Sequence, residues 1–215
     1  MTDTTGQDRV HGISLHRLVP ALFTLTIFTS ASLLFFVQPL FAKLVLPKIG
    51  GAPAVWTTSM LFFQTILICG YLYAHVLTRL VPLRWQAVLH LGLWGLGCLF
   101  LPLAVPAGWS LDPEGSTVLQ TLMLFALGVG VPFGFLSANA PLIQAWYRGT
   151  GGPGAEDPYF LYGASNLGSM IALLGFPLLA EPLFGADAIG FGWAIGFVVL
   201  GAFLALSALT VKRGD

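Results

Sequence analysis

Residues 115–147 read GSTVLQTLMLFALGVGVPFGFLSANAPLIQAWY, 33 consecutive positions without one Asp, Glu, Lys or Arg. A helix rises 1.5 Å per residue, so roughly 20 apolar residues cross about 30 Å of hydrocarbon. This stretch is long enough to cross once and too short to cross twice. Strands of a membrane barrel would be about 10 residues long and would alternate apolar with polar positions; this one does not alternate.

Five further runs share the pattern: 18–42 (25 residues), 49–78 (30), 85–111 (27), 158–180 (23) and 188–211 (24). The spacing predicts an all-α, polytopic membrane protein with six transmembrane helices, at about 18–42, 54–78, 86–106, 117–146, 158–181 and 187–211. Turns fall where helix breakers cluster: Pro47 to Pro53, Pro106 to Gly115, and the glycine-rich segment Arg148 to Pro158. The chain then divides into an N-terminal tail 1–17, a six-helix domain 18–211 and a C-terminal tail 212–215. The composition agrees. Of the 215 residues, 56% are hydrophobic and 8% charged, with mean hydropathy +0.85, whereas a soluble domain carries about 25% charge. A soluble globular domain, a disordered chain and a nucleic-acid binder are excluded, the last for want of a basic face.

Orientation follows from Lys and Arg. With the N-terminus inside, the inner segments hold Arg9, Arg17, Arg79, Arg84, Arg148, Lys212 and Arg213, and the outer ones only Lys43 and Lys48. Seven against two places both termini in the cytoplasm, the natural membrane being the cell (inner) membrane. Residues 1–17 are polar, and the first apolar run exceeds the 7–15 residues of a signal peptide's core, so the first helix is expected to be retained.

Small residues recur at helical spacing in Ala126, Gly130 and Gly134, in Ala164 and Gly168, and in Ala188, Gly192 and Gly196. In lipid such faces let helices approach closely. Pro132 and Pro141 should kink the fourth helix. Trp56, Trp85, Trp109 and Trp146 lie near span ends and read as interface anchors. Cys69 and Cys98 read as buried apolar thiols.

Polar side chains in hydrocarbon need a partner or a task. Gln38, Lys43, Gln64 and Glu181 fall toward the outer surface. They form either a site where a cation or amine meets Glu181, or a snorkelling Lys43 paired with that carboxylate. Asn139, Gln144, Tyr162 and Asn166 fall toward the cytoplasmic side with His75, as a solute pocket or as hydrogen bonds between helices. His75 and His90 read as interfacial histidines. The glycines at 149–154 lack the Lys-Ser/Thr ending of a phosphate-binding loop and read as a flexible connector. No spacing suggests a metal site, a cofactor or a catalytic constellation.

Two stretches carry a resemblance. The first runs from Ser32 to Trp56 (SLLFFVQPLFAKLVLPKIGGAPAVW) and on through Gly70-Tyr-Leu-Tyr-Ala-His75. The second comprises Ala140-Pro-Leu-Ile-Gln-Ala-Trp146, Asp157 to Ser169 (DPYFLYGASNLGS) and Pro177-Leu-Leu-Ala-Glu-Pro182. Together they resemble the membrane portion of bacterial spermidine synthase-like proteins, which join a major-facilitator-like half to an aminopropyltransferase domain. The resemblance covers roughly 18–211 and implies one half of a major-facilitator fold. The enzymatic half's glycine-rich strand-turn-helix and catalytic aspartates are not found in this sequence, so no catalysis is expected of it. The facilitator motif between the second and third helices is only echoed by Gly70, His75, Arg79 and Arg84, without its Asp. The expected role is a non-catalytic membrane domain or subunit. It would bind or pass a small, cationic solute such as a polyamine, or hold an aminopropyltransferase-like partner at the bilayer. The alternatives are a transporter built by pairing two copies into a homodimer, and a structural anchor.

Overall fold

The computed structural model describes residues 5–106 and 108–211, with side chains from Leu18 onward. These residues are 83% helical, with no strand among them. Six helices follow one another: α1 Thr5–Ile49, α2 Pro53–Leu80, α3 Leu83–Cys98, α4 Thr117–Thr150, α5 Tyr159–Leu183 and α6 Ala186–Thr210. All but α3 are long and apolar enough to cross a membrane. The chain is a multi-pass membrane protein by this measure. The tail residues 1–4 and 212–215 lie outside the described residues.

Local chemistry sets the helix ends. Gly50 takes φ +77° and returns its N–H to the Leu46 carbonyl at 2.9 Å, closing α1 as a left-handed glycine does. Pro53, whose missing N–H costs nothing in a first turn, opens α2. The Ser116 hydroxyl accepts from the Leu119 N–H at the start of α4, and left-handed Gly151 ends it. The turn expected over 47–53 is therefore shorter, because α1 carries Pro47 inside its last turn.

The third span departs from expectation. The charge-free run predicts a helix over 86–106, but α3 stops at Cys98, after 16 residues. That is about 24 Å, less than the hydrocarbon thickness. Pro102 and Pro106 prevent its continuation, and the backbone runs on irregularly to Ser116. Free carbonyls and N–H groups are tolerated at membrane depth only under protein cover. The segment has such cover only in part: Leu103 is buried, Leu101 and Val105 pack on the core, and the Ala104 carbonyl lies against bare Gly128 of α4, while Leu99, Phe100, Pro102 and Pro106 are exposed.

Helices α1 and α4 form the centre. Over half of α4's most apolar window is buried (56%), against 17% for α5. Helix α5 packs along α1, α2 packs along α4, and α3 and α6 cover one side of the central pair. An aromatic cluster fills the half of the bundle near the α1–α2 turn. Phe125 meets Phe41, Phe62 and Phe63 edge to face at 5.0, 5.5 and 5.5 Å, and Phe63 meets Phe133 at 4.9 Å. Two helices widen to π-helical turns, at Ala126–Gly130 and Phe176–Ala180. Such turns relieve the clash between a proline ring and the preceding carbonyls. The first precedes Pro132, one of the two prolines expected to kink α4, and the second contains Pro177, while the helix runs on through Pro141.

The small residues have unequal roles. A methyl on Gly168 would stand 2.5 Å from the Phe28 carbonyl oxygen of α1 and 2.9 Å from Ser32 Oγ, whereas one on Gly192 would meet nothing. The Ser32 hydroxyl shares its proton between the Phe28 carbonyl of its own helix at 2.8 Å and, across this close approach, the Gly168 carbonyl at 3.2 Å. Overpacking at such a contact costs about 1–3 kcal/mol. Gly168→Ala is expected to lower the unfolding free energy of the bilayer-embedded chain by that order, and Gly192→Ala to leave it unchanged. Equal behaviour of the two variants would refute the close α1–α5 packing.

Candidate functional site

Two polar arrangements occupy the bundle, one closed and one open. The closed one centres on Asn139 of α4, which is fully buried. Its amide nitrogen donates to Ser30 Oγ of α1 at 3.1 Å, and its carbonyl oxygen lies 2.8 Å from His90 Nε2 of α3. An amide oxygen only accepts, so the proton sits on Nε2. Nδ1 of the neutral imidazole then accepts from the Tyr73 hydroxyl of α2, at 3.4 Å. Four helices are thereby joined through a run of side chains with one consistent donor direction, from Tyr73 to Ser30.

A second link lies one turn away. The Trp146 indole N–H donates to Gln86 Oε1 at 3.2 Å, and Gln86 Nε2 donates to the Val81 carbonyl at 2.8 Å. Trp146 is therefore not an interface anchor; it is 1% exposed. Trp56 and Trp85 are exposed, as anchors are. His90, expected at an interface, is instead wholly buried. Helical spacing holds the signal: Gln86, His90, Trp94 and Gly97 recur at three- and four-residue intervals and form the buried face of α3.

The open arrangement is a groove of about 600 Å³. Helices α2 and α5 form its walls, and α1 and α4 its floor. Tyr71, Gln144, Tyr162, Ser165, Asn166 and Ser169 supply its polar lining, and Phe35, Met170, Leu173 and Leu174 most of the apolar remainder. Three of the five residues predicted for the cytoplasmic cluster, Gln144, Tyr162 and Asn166, thus share one cavity. Asn139 does not. Five residues separate Asn139 from Gln144, and at 100° per residue they point about 140° apart. His75 is exposed on α2 and belongs to neither arrangement.

The outer residues do not gather into a pocket. Lys43 Nζ pairs with Glu181 Oε1 at 3.1 Å, tying α1 to α5. Gln38 donates weakly to its own helix, to the Leu34 carbonyl at 3.4 Å, and Gln64 is exposed on α2. Cys69 is exposed, and Cys98 half-buried. The glycine-rich connector is tethered: the Tyr147 hydroxyl donates to the Pro153 carbonyl at 2.6 Å, and the Gly152 N–H donates to Thr150 Oγ1 at 3.1 Å. No group of three or more His, Cys, Asp or Glu placed to hold a metal occurs among the described residues.

Compared with known proteins, the chain matches no family model, no curated protein and no solved structure.

The Asn139 network makes its own prediction. Asn139→Leu strands His90 Nε2–H and the Ser30 hydroxyl, at a cost of about 1–2 kcal/mol in unfolding free energy. His90→Phe in the same chain should then add little, since residues of one network couple. Reversible unfolding of the single and double variants in bicelles measures both, and additive losses would contradict the network.

Proposed function

We propose that this chain is a non-catalytic membrane domain or subunit that takes a small solute into the groove between α2 and α5. One observation carries the reading. Gln144, Tyr162 and Asn166 come from two helices to one laterally open groove on the membrane-spanning bundle; Gln144 is half-buried, and Tyr162 and Asn166 are exposed along its rim. Unpaired amides and hydroxyls in hydrocarbon are costly, and such residues face a cavity or a ligand by default. The volume suits a small molecule, since binding cavities run from about 300 to 1,000 Å³.

The resemblance to spermidine synthase-like membrane regions supports the same role. It adds an aminopropyltransferase-like partner, which would dock where Arg79, Arg84 and Arg148 mark the cytoplasmic side. One half of a major-facilitator fold is the architecture this reading assumes. A homodimer of two six-helix units is the second reading. It is favoured by the sparse cover of α5, since a copy laid across α2 and α5 would roof the groove.

Ser169 lies on the groove's lining, so Ser169→Trp fills it without touching the Asn139 network. In proteoliposomes, wild-type chain should bind at least one member of a labelled panel of small polar and amphiphilic solutes saturably. Ser169→Trp should reduce that binding at least about tenfold, equivalent to 1.4 kcal/mol. No saturable binding, or binding equal in the two proteins, would overturn the proposal. Particles holding one chain per nanodisc would remove the homodimer.

A further inference from the structure

The groove is graded along the membrane normal, and the grading names a ligand class. This inference rests on the proposed solute site. Tyr162, Asn166 and Ser169 lie 3, 7 and 10 residues into α5, which starts at Tyr159. At 1.5 Å per residue they stand about 4.5, 10.5 and 15 Å from that end of the bundle. Gln144 lies 6 residues before the end of α4 at Thr150, about 9 Å deep from the same side. Beyond them the lining turns apolar: Leu173 and Leu174 are 14 and 15 residues into α5, about 21 and 22 Å deep. Amides and hydroxyls thus line the end assigned to the cytoplasm, and hydrocarbon lines the middle of the bilayer.

Charge decides the head group. The lining contains no Asp, Glu, Lys or Arg. Glu181, the carboxylate at the far end of α5, is held by Lys43 at 3.1 Å. An ammonium drawn into this groove would gain neutral acceptors and tyrosine faces but no counter-ion, whereas the apolar depth of the groove offers a charged solute nothing. An uncharged head with hydroxyl or carbonyl groups needs no counter-ion, and the Gln144 and Asn166 amides each offer both donors and an acceptor. The groove is also open to the side, where Tyr162, Met170, Leu173 and Leu174 are all about half exposed or more. A hydrocarbon chain can enter there from the lipid.

We infer that the groove binds an uncharged single-chain amphiphile from the inner leaflet. Its hydroxyl- or carbonyl-bearing head rests on Gln144, Tyr162 and Asn166, and its tail runs past Met170 and Leu173 toward the bilayer centre.

Native mass spectrometry of the full chain, released from detergent micelles, reads the occupant by mass. Monooleoylglycerol is the neutral probe, spermidine the cationic one and oleoyl-lysophosphatidylglycerol the anionic one. The expected result is one added monooleoylglycerol, with affinity reduced about tenfold or more in Gln144→Leu/Asn166→Leu and retained in Glu181→Gln. Should the double variant fail to fold, Tyr162→Phe removes a single hydroxyl and should weaken the same binding about threefold or more. Equal binding of monooleoylglycerol and the lysophosphatidylglycerol, or no loss in any groove variant, would overturn the inference as non-specific detergent-like adsorption. Spermidine bound alone and lost in Asn166→Leu would overturn the amphiphile and leave the solute site standing. A mass of two chains without added amphiphile would overturn it in favour of a second copy over the groove, and no adduct at all would overturn both site and ligand.

Discussion

One amide joins three helices of this bundle directly and a fourth through His90. Lipid tails are as apolar as leucine, so helices in a membrane gain little by hiding apolar surface from them and associate through close packing and hydrogen bonds. Asn139 supplies the bonds where they reach furthest. From the most buried helix it grips Ser30 of α1 and His90 of α3, and His90 extends the connection to Tyr73 of α2. Helix α5 is then carried by α1 through the Gly168 approach, the Ser32 hydrogen bond and the Lys43–Glu181 pair. Trp193 donates to the Leu33 carbonyl, and Thr26 meets Ser207, so α6 is also hung on α1.

The groove is a consequence of that arrangement. With α3 and α6 occupying one side of the α1–α4 pair, the other side is left to α2 and α5, each fastened to a different central helix. The space between them is floored by Phe35, Ala140 and Gln144. The polar face of α5, with Tyr162, Asn166 and Ser169 at helical spacing, looks into that space and away from the contact with α1. A helix whose remaining surface is Leu, Ile and Met keeps these side chains where a ligand can answer them.

Much of the architecture is legible in the amino-acid order. Counting charge-free runs locates six helices because a bilayer tolerates few charges and demands a minimum length. Four of the helices fall within a few residues of the counts, whereas α1, placed at 18–42, runs from Thr5 to Ile49 and takes most of the expected N-terminal tail into the helix. The third fails because absence of charge measures apolar length and not helicity: residues 99–111 are apolar, yet Pro102 and Pro106 forbid a helix there. For the sites, a linear sequence yields depth and not direction. Depth groups Gln144, Tyr162 and Asn166, which line one groove, with Asn139, which sits on the opposite face of its helix. The Lys43–Glu181 contact is one of the two arrangements open to those residues, because both fall near the same membrane surface. His90 and Trp146 depart from expectation for one reason, that closeness to a span end says nothing about which face a side chain occupies.

The central claim is that the Asn139 network holds α1, α3 and α4 in register, and with them the α2 and α5 walls that pack on α4 and α1. Spin labels at Leu72→Cys of α2 and Leu174→Cys of α5, both exposed positions, report the distance between those walls by pulsed electron resonance in nanodiscs, in a chain with Cys69 and Cys98 replaced by Ala. The account predicts one narrow distribution with Asn139 present and a broadened or shifted one with Asn139→Leu. An identical distribution in the two proteins would contradict it.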